Sequence, residues 1–144
     1  MSEKTEAVDS TAADDRTKPR GSTASPAEYH DALEALRDLR QDWNTYGAAP
    51  PNDTAISLAK RVLRCLAACG LRPHRVNPSA EEGVCISFRN GRLYADVECF
   101  NTGEVAAATS DGLGQHAVWE VTPDREAIER TLTRIAAHLN SADS

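Results

Sequence analysis

The hydrophobic pattern changes period twice along the chain, and those two changes divide it into a helical half, a stranded half and a final helix. From Tyr29 through Leu33, Leu36, Leu39 and Trp43 the apolar residues recur at helical spacing, while Asp31, Glu34, Arg37, Asp38 and Arg40 fall elsewhere. Ser25, Pro26 and Glu28 open this run as a capping box with proline at the first helical position. The pattern predicts a first helix from about Pro26 to Asp42. A second helix is predicted from a cap at Asn52 or Asp53 to Gly70, a favoured C-terminal residue. Its apolar positions, from Ala55 and Ile56 to Leu66 and Cys69, cover more than half the circumference. Only Ser57, Lys60, Arg61, Arg64 and Ala68 are left as an outer strip, so this helix is expected to be packed on two sides.

Beyond the loop LRPHRVNPSAEEG the period drops to 2. VCISFRNGRLYADVECF reads as two strands around Asn90-Gly91, a strong hairpin signal. A two-residue turn there sets Phe88 opposite Leu93, Cys85 opposite Asp96 and Val84 opposite Val97. Both strands then agree that Val84, Ile86, Phe88, Leu93, Ala95 and Val97 form the dry face. A weaker strand, EVAAATS, follows the NTG turn at 101–103, and HAVWEV alternates after DGLG. Thr122 and Pro123 open a last helix striped by Ile128, Leu132, Ile135 and Leu139. The order α-α-β-β-β-β-α clusters its strands, which implies an α+β fold: an antiparallel meander with helices on one face.

Residues 1–24 hold one Val and no other large apolar side chain after Met1. They cannot offset the entropy of ordering and are expected to form a disordered acidic and polar tail. Residues 25–141 are then a single α+β domain and 142–144 a frayed end. At 144 residues, with 40% hydrophobic and 26% charged positions, the composition is that of an ordinary globular protein. No run approaches the roughly 20 apolar residues of a membrane span. The N-terminus lacks the apolar core of a secretory signal. A cytoplasmic location with reduced thiols is the expectation. The net charge of −6 argues against generic nucleic-acid binding, which draws its affinity from many cations. Charge is uneven, however: the segment 51–80 carries five Lys and Arg against Asp53 alone.

Candidate chemistry is sparse. Cys65 and Cys69 are one helical turn apart with His74 following, but both thiols lie on the apolar arc and a tetrahedral site needs four ligands. Buried thiols acting as small hydrophobes fit better, and no metal or other cofactor is expected. Cys85 beside Asp96 could be drawn with a His as a nucleophilic triad, yet an open sheet face has no pocket to exclude water. Arg89 and Arg92 stand near Asp96 and Glu98, so cross-strand ion pairs are expected there. No phosphate loop, dinucleotide fingerprint or His-Glu-x-x-His helix is present.

The most distinctive stretch is DWNTYGAAPPNDTA, residues 42–55. Trp43 closes the stripe of the first helix, Gly47 permits a positive φ, and Pro50-Pro51 force an extended exit before the next cap. A rigid corner between two helices, plugged by Trp43 and Tyr46, accounts for these residues. Taken with PSAEEGVCISFRNG, the stretch resembles a widespread group of small, uncharacterised bacterial proteins sharing Trp-Asp/Asn-x-Tyr-Gly-Ala-x-Pro. The likeness covers roughly residues 30–105 and implies a shared fold without assigned chemistry. Phe88 stands where the group would end its first strand with an aromatic, often Trp.

The reading that these features support is a small module without catalysis that binds a protein partner. Its surface would be the outward sheet face, Ser87, Arg89, Arg92, Tyr94 and Asp96, with Trp43 and Tyr46 at the rim. The alternative is an anion or small-ligand binder using Arg61, Arg64, Arg72, His74 and Arg75. An enzyme of unspecified type is the third. Self-association is compatible with each.

Overall fold

A computed structural model describes residues 26–37, 39 and 48–141. The expected N-terminal tail, the Ser25 cap, Trp43, Tyr46 and the frayed end at 142–144 lie outside the described residues. Three helices, α1 (Pro26–Leu36), α2 (Asp53–Cys69) and α3 (Arg125–Asn140), accompany five strands. These are β1 (Arg75–Ser79), β2 (Gly83–Asn90), β3 (Leu93–Phe100), β4 (Val105–Ser110) and β5 (His116–Val121). The strands form one antiparallel sheet whose spatial order repeats the chain order. The α+β meander with helices on one face is therefore the architecture, enlarged by one strand.

That extra strand, β1, occupies what the sequence pattern assigned to a loop. Pro78 disguised it, because proline cannot donate to a ladder and argues against a central strand. At a sheet edge the objection vanishes. β1 is an edge strand, paired only with β2, and Val76 and Pro78 turn inward while Arg75 and Asn77 are exposed.

The helices end where local chemistry lets them. Asn52 caps α2, its side chain accepting from the Ala55 N–H at 3.0 Å, and Gly70 closes it with φ 67°. Asp124, rather than Thr122 or Pro123, caps α3 by accepting from the Ala127 N–H. Helix α1 stops at Leu36 and does not run to Asp42. Arg37 N–H bonds to the Glu34 carbonyl and Leu39 N–H to the Leu36 carbonyl, three-residue steps that tighten the helix end. Arg37 and Lys60 converge on the Glu34 carboxylate, holding its carboxyl down to about 2 and joining α1 to α2.

Core and sheet agree on one dry face. Val84, Ile86, Phe88, Leu93, Ala95, Val97 and Cys99 are buried from the sheet side. Leu33, Ile56, Ala59, Val62, Ile128, Leu132 and Ile135 meet them from the helices. Helix α2 packs against α1, α3 and the central strands at once, which is why its apolar arc is so wide. The hairpin register differs by two residues from the expected one. Asn90 pairs with Leu93, Phe88 with Ala95 and Ile86 with Val97, so the turn is Gly91-Arg92. Gly91 has φ 64° and Arg92 a negative φ, the demand of a II′ turn with glycine first. A shift of two preserves the faces, so the dry set survives the error.

Polar contacts clamp the helix layer to the turns. The Asn101 side chain accepts from the Asn52 N–H at 2.9 Å and donates to the Pro50 carbonyl at 3.1 Å. Asn52 Nδ2 donates back to the Asn101 carbonyl at 3.2 Å. Glu82, at φ 72°, receives the Ala49 N–H on its carboxylate and the Asn101 N–H on its carbonyl. Beside it Gly83 runs so close to β3 that an added Cβ would stand 2.1 Å from the Cys99 carbonyl oxygen. The chain around Pro50-Pro51 is thus fastened to two β-turns that are remote in sequence.

Two substitutions test this clamp. Gly83→Ala is expected to destabilise by about 2–4 kcal/mol, because backbone rather than a movable side chain must yield. Asn101→Ala should cost about 1–3 kcal/mol by leaving the Asn52 N–H and Pro50 carbonyl unpaired. Chemical denaturation of both variants, with an unchanged m-value, is the measurement.

Candidate functional site

All three helices lie on the dry face, so the opposite face of the sheet has no covering layer among the described residues. The register arranges its outward residues in rows. Arg89, Tyr94, Ser110 and His116 form the first row across β2 to β5. Arg75, Ser87, Asp96, Ala108 and Val118 form the second, and Asn77, Cys85, Glu98, Ala106 and Glu120 the third. Basic groups thus gather at one corner, carboxylates lie toward the middle and far end, and the β4 side is paved with alanine.

The expected cross-strand ion pairs do not form. Asp96 stands opposite Ser87 and Glu98 opposite Cys85: the observed register brings both carboxylates two residues nearer Arg89 than the expected one, yet neither lies directly across from an arginine. Hydroxyls serve them instead. Tyr94 Oη donates to Asp96 Oδ2 at 2.9 Å, and Ser79 Oγ donates to Glu98 Oε2 at 2.6 Å. Arg89 turns to the Tyr94 ring, its guanidinium carbon 5.3 Å from the centroid. Arg89, Tyr94 and Asp96 make a linked polar seam on β2 and β3, Glu98 is bonded separately to Ser79, and Ser87 is buried beside them.

Burial sets the protonation chemistry of that seam. Desolvation, followed by the neighbouring Asp96 and Glu98, pushes the Cys85 thiol up to about 12. A thiol held protonated is a poor nucleophile, and Cys85 faces Glu98 rather than Asp96, so the drawn triad lacks its geometry. Desolvation raises Asp96 above the ordinary carboxylate range, with Glu98 adding to it and the Tyr94 hydroxyl opposing. Tyr94 is raised in turn by burial and by the Asp96 charge.

The other site residues separate. Arg92 lies in the hairpin turn rather than in a row of the face, with its carbonyl 2.9 Å from where a Cβ on Gly112 would be. Arg61 donates to the Pro123 carbonyl at 2.6 Å, beside the start of α3. His74 and Arg75 belong elsewhere, near Arg89: the His74 imidazole is lowered by burial and then by those two cations. Arg64 is exposed on α2 and Arg72 is exposed in the loop after it. The basic segment is therefore split, and its C-terminal part joins the open face. Sequence reasoning missed that union because it took residues 71–83 as loop; the alternation of Arg75, Val76, Asn77 and Pro78 was the available signal. Among the described residues no cluster of His, Cys, Asp and Glu is arranged to hold a metal ion.

Asp96 offers a pH test. Its folded pKa lies above the unfolded one, so its contribution to stability is fully present below the unfolded pKa and is lost as pH rises through the folded value. Asp96→Asn keeps an acceptor for Tyr94 while removing the half-buried charge. It should raise the thermal midpoint at neutral pH, and the advantage should shrink to nothing as pH falls below roughly 4. Calorimetry across that range is the check. Comparisons of the chain with protein-family models, with curated proteins and with solved structures return no match.

Proposed function

We propose that the protein is a non-catalytic binding module that recognises a protein partner through the open face of its sheet. The observation that supports this reading is the seam Arg89–Tyr94–Asp96, which runs from a corner of the five-stranded face to the middle of its central strand, with no layer over it among the described residues. Tyr and Arg supply most binding energy when desolvated at the middle of an interface, and here they are already oriented by each other and by Asp96. The alanines of β4 leave flat room beside them, and Arg75 and Glu120 on the two edge strands give a partner charges of both signs to read. The Cys85 thiol, pushed up to about 12 by burial, is a poor nucleophile, which favours recognition over chemistry. Membership of the bacterial group marked by the Trp-x-x-Tyr-Gly-Ala-x-Pro stretch, and a cytoplasmic setting, are part of the same proposal.

The anion-binding alternative keeps one favourable observation, the convergence of His74, Arg75 and Arg89 at the corner of that face. It would draw on Arg89 as well, and would weaken as salt screens exposed charge.

A photo-crosslinking side chain placed at Ala108, in the middle of the face, should capture a discrete protein in cells, whereas one at Ser57 on the outer strip of α2 should not. Adding Arg89→Ala with Tyr94→Ala should abolish the captured band and leave the circular dichroism spectrum unchanged. If the band survives that pair, or appears equally from Ser57, the open face is not the binding surface.

A further inference from the structure

The two edges of the sheet are not alike. β1 is short, contains Pro78, carries Arg75 and has α1 packed beside it, all features that discourage further pairing. β5 has none of these. It is six residues of clean alternation, HAVWEV, without proline or lysine, and its outer edge has no backbone partner among the described residues. Among the described residues the two large aliphatic side chains left mostly exposed, Leu113 at 72% and Val118 at 75%, both belong to the β4–β5 hairpin that ends at this edge.

We propose that β5 is a self-pairing edge at which two copies of the chain join their sheets antiparallel across a two-fold axis through Val118. The strand's own sequence selects a second copy as the occupant. Antiparallel pairing that keeps both open faces on one side must match residues of the same parity. Centred on Val118, it sets Val118 against Val118, Ala117 against Trp119, and His116 against Glu120, twice by symmetry. The polar pair is complementary, an imidazole N–H facing a carboxylate, and the exposed valines cover each other. On the dry side Trp119 is already fixed, its ring under Arg134 at 3.6 Å and its indole N–H donating to Thr131 at 3.2 Å, so it offers Ala117 a rigid apolar wall. The same register carries the Leu113 loop of one copy alongside the Thr122–Pro123 exit of the other. The result is a continuous ten-stranded sheet whose open face is doubled. This inference stands on the edge and not on the binding reading of the face.

Sedimentation velocity of the purified full-length chain from about 1 μM to about 1 mM tests it, a span that covers the affinities of small interfaces. The wild-type chain should pass from monomer to dimer within it. His116→Glu sets like charges opposite each other in both symmetric pairs and should weaken dimerisation about tenfold. His116→Glu with Glu120→Lys restores complementarity and should restore the dimer, while Val118→Lys should leave only monomer. All these positions are exposed, and thermal midpoints equal to the wild type's at about 1 μM, where it is monomeric, establish that the variants fold. A wild-type chain that stays monomeric at the highest concentration overturns the proposal. So does a dimer indifferent to His116→Glu and Val118→Lys, or a charge exchange that fails to rescue.

Discussion

The contact on which the rest of the molecule depends is between the dry face of β2 and β3 and the wide apolar arc of α2. Phe88, Ile86 and Val97 on the sheet and Ile56, Ala59 and Val62 on the helix are each almost wholly removed from water. A helix apolar over more than half its surface cannot be satisfied by a sheet alone, and so α1 and α3 flank it. Among the described residues three helices occupy the dry face and nothing covers the other. The bare face is thus a consequence of how α2 is composed.

That arrangement explains the division of labour among the polar residues. Those at the helix-facing turns, Glu82, Asn101 and Asn52, spend their groups on holding backbone in place. Those on the open face, Arg89, Tyr94 and Asp96, hold one another. The first set fixes how the chain enters α2; the second orders side chains of the sheet face among themselves. Sheet edge and sheet face are separate surfaces, and a pairing at β5 would leave Arg89 and Tyr94 uncovered on both copies.

Much of this was legible in the sequence, for identifiable reasons. The period-2 pattern in residues 84–97 gave the faces correctly even though the register was displaced by two, because side-chain direction depends only on parity. The turn was misplaced by taking Asn90-Gly91 as the pair, when glycine at the first central position wants Gly91-Arg92. β1 was missed because an edge tolerates a proline that a central strand would not. The residues of the open face were named correctly as a set, apart from Arg92, but their bonding was not: the Tyr94 and Ser79 hydroxyls, rather than arginines, serve Asp96 and Glu98. No local pattern could show that His74 and Arg75 meet Arg89, or that Asn101 grips Pro50, since both join segments far apart in the chain. The structural role given to Trp43 and Tyr46 lies outside the described residues.

The meander has a kinetic corollary. Every strand pairs with its chain neighbour across a connection of two to five residues, so the sheet can be assembled from local hairpins with little loop-closure entropy. The helical layer is the opposite case. α2 and α3 touch across the whole sheet-forming segment, and the Arg61–Pro123 bond alone bridges a separation of 62 positions. Docking α3 onto α2 therefore closes a far longer loop, at a greater entropic cost, than any strand pairing in the sheet.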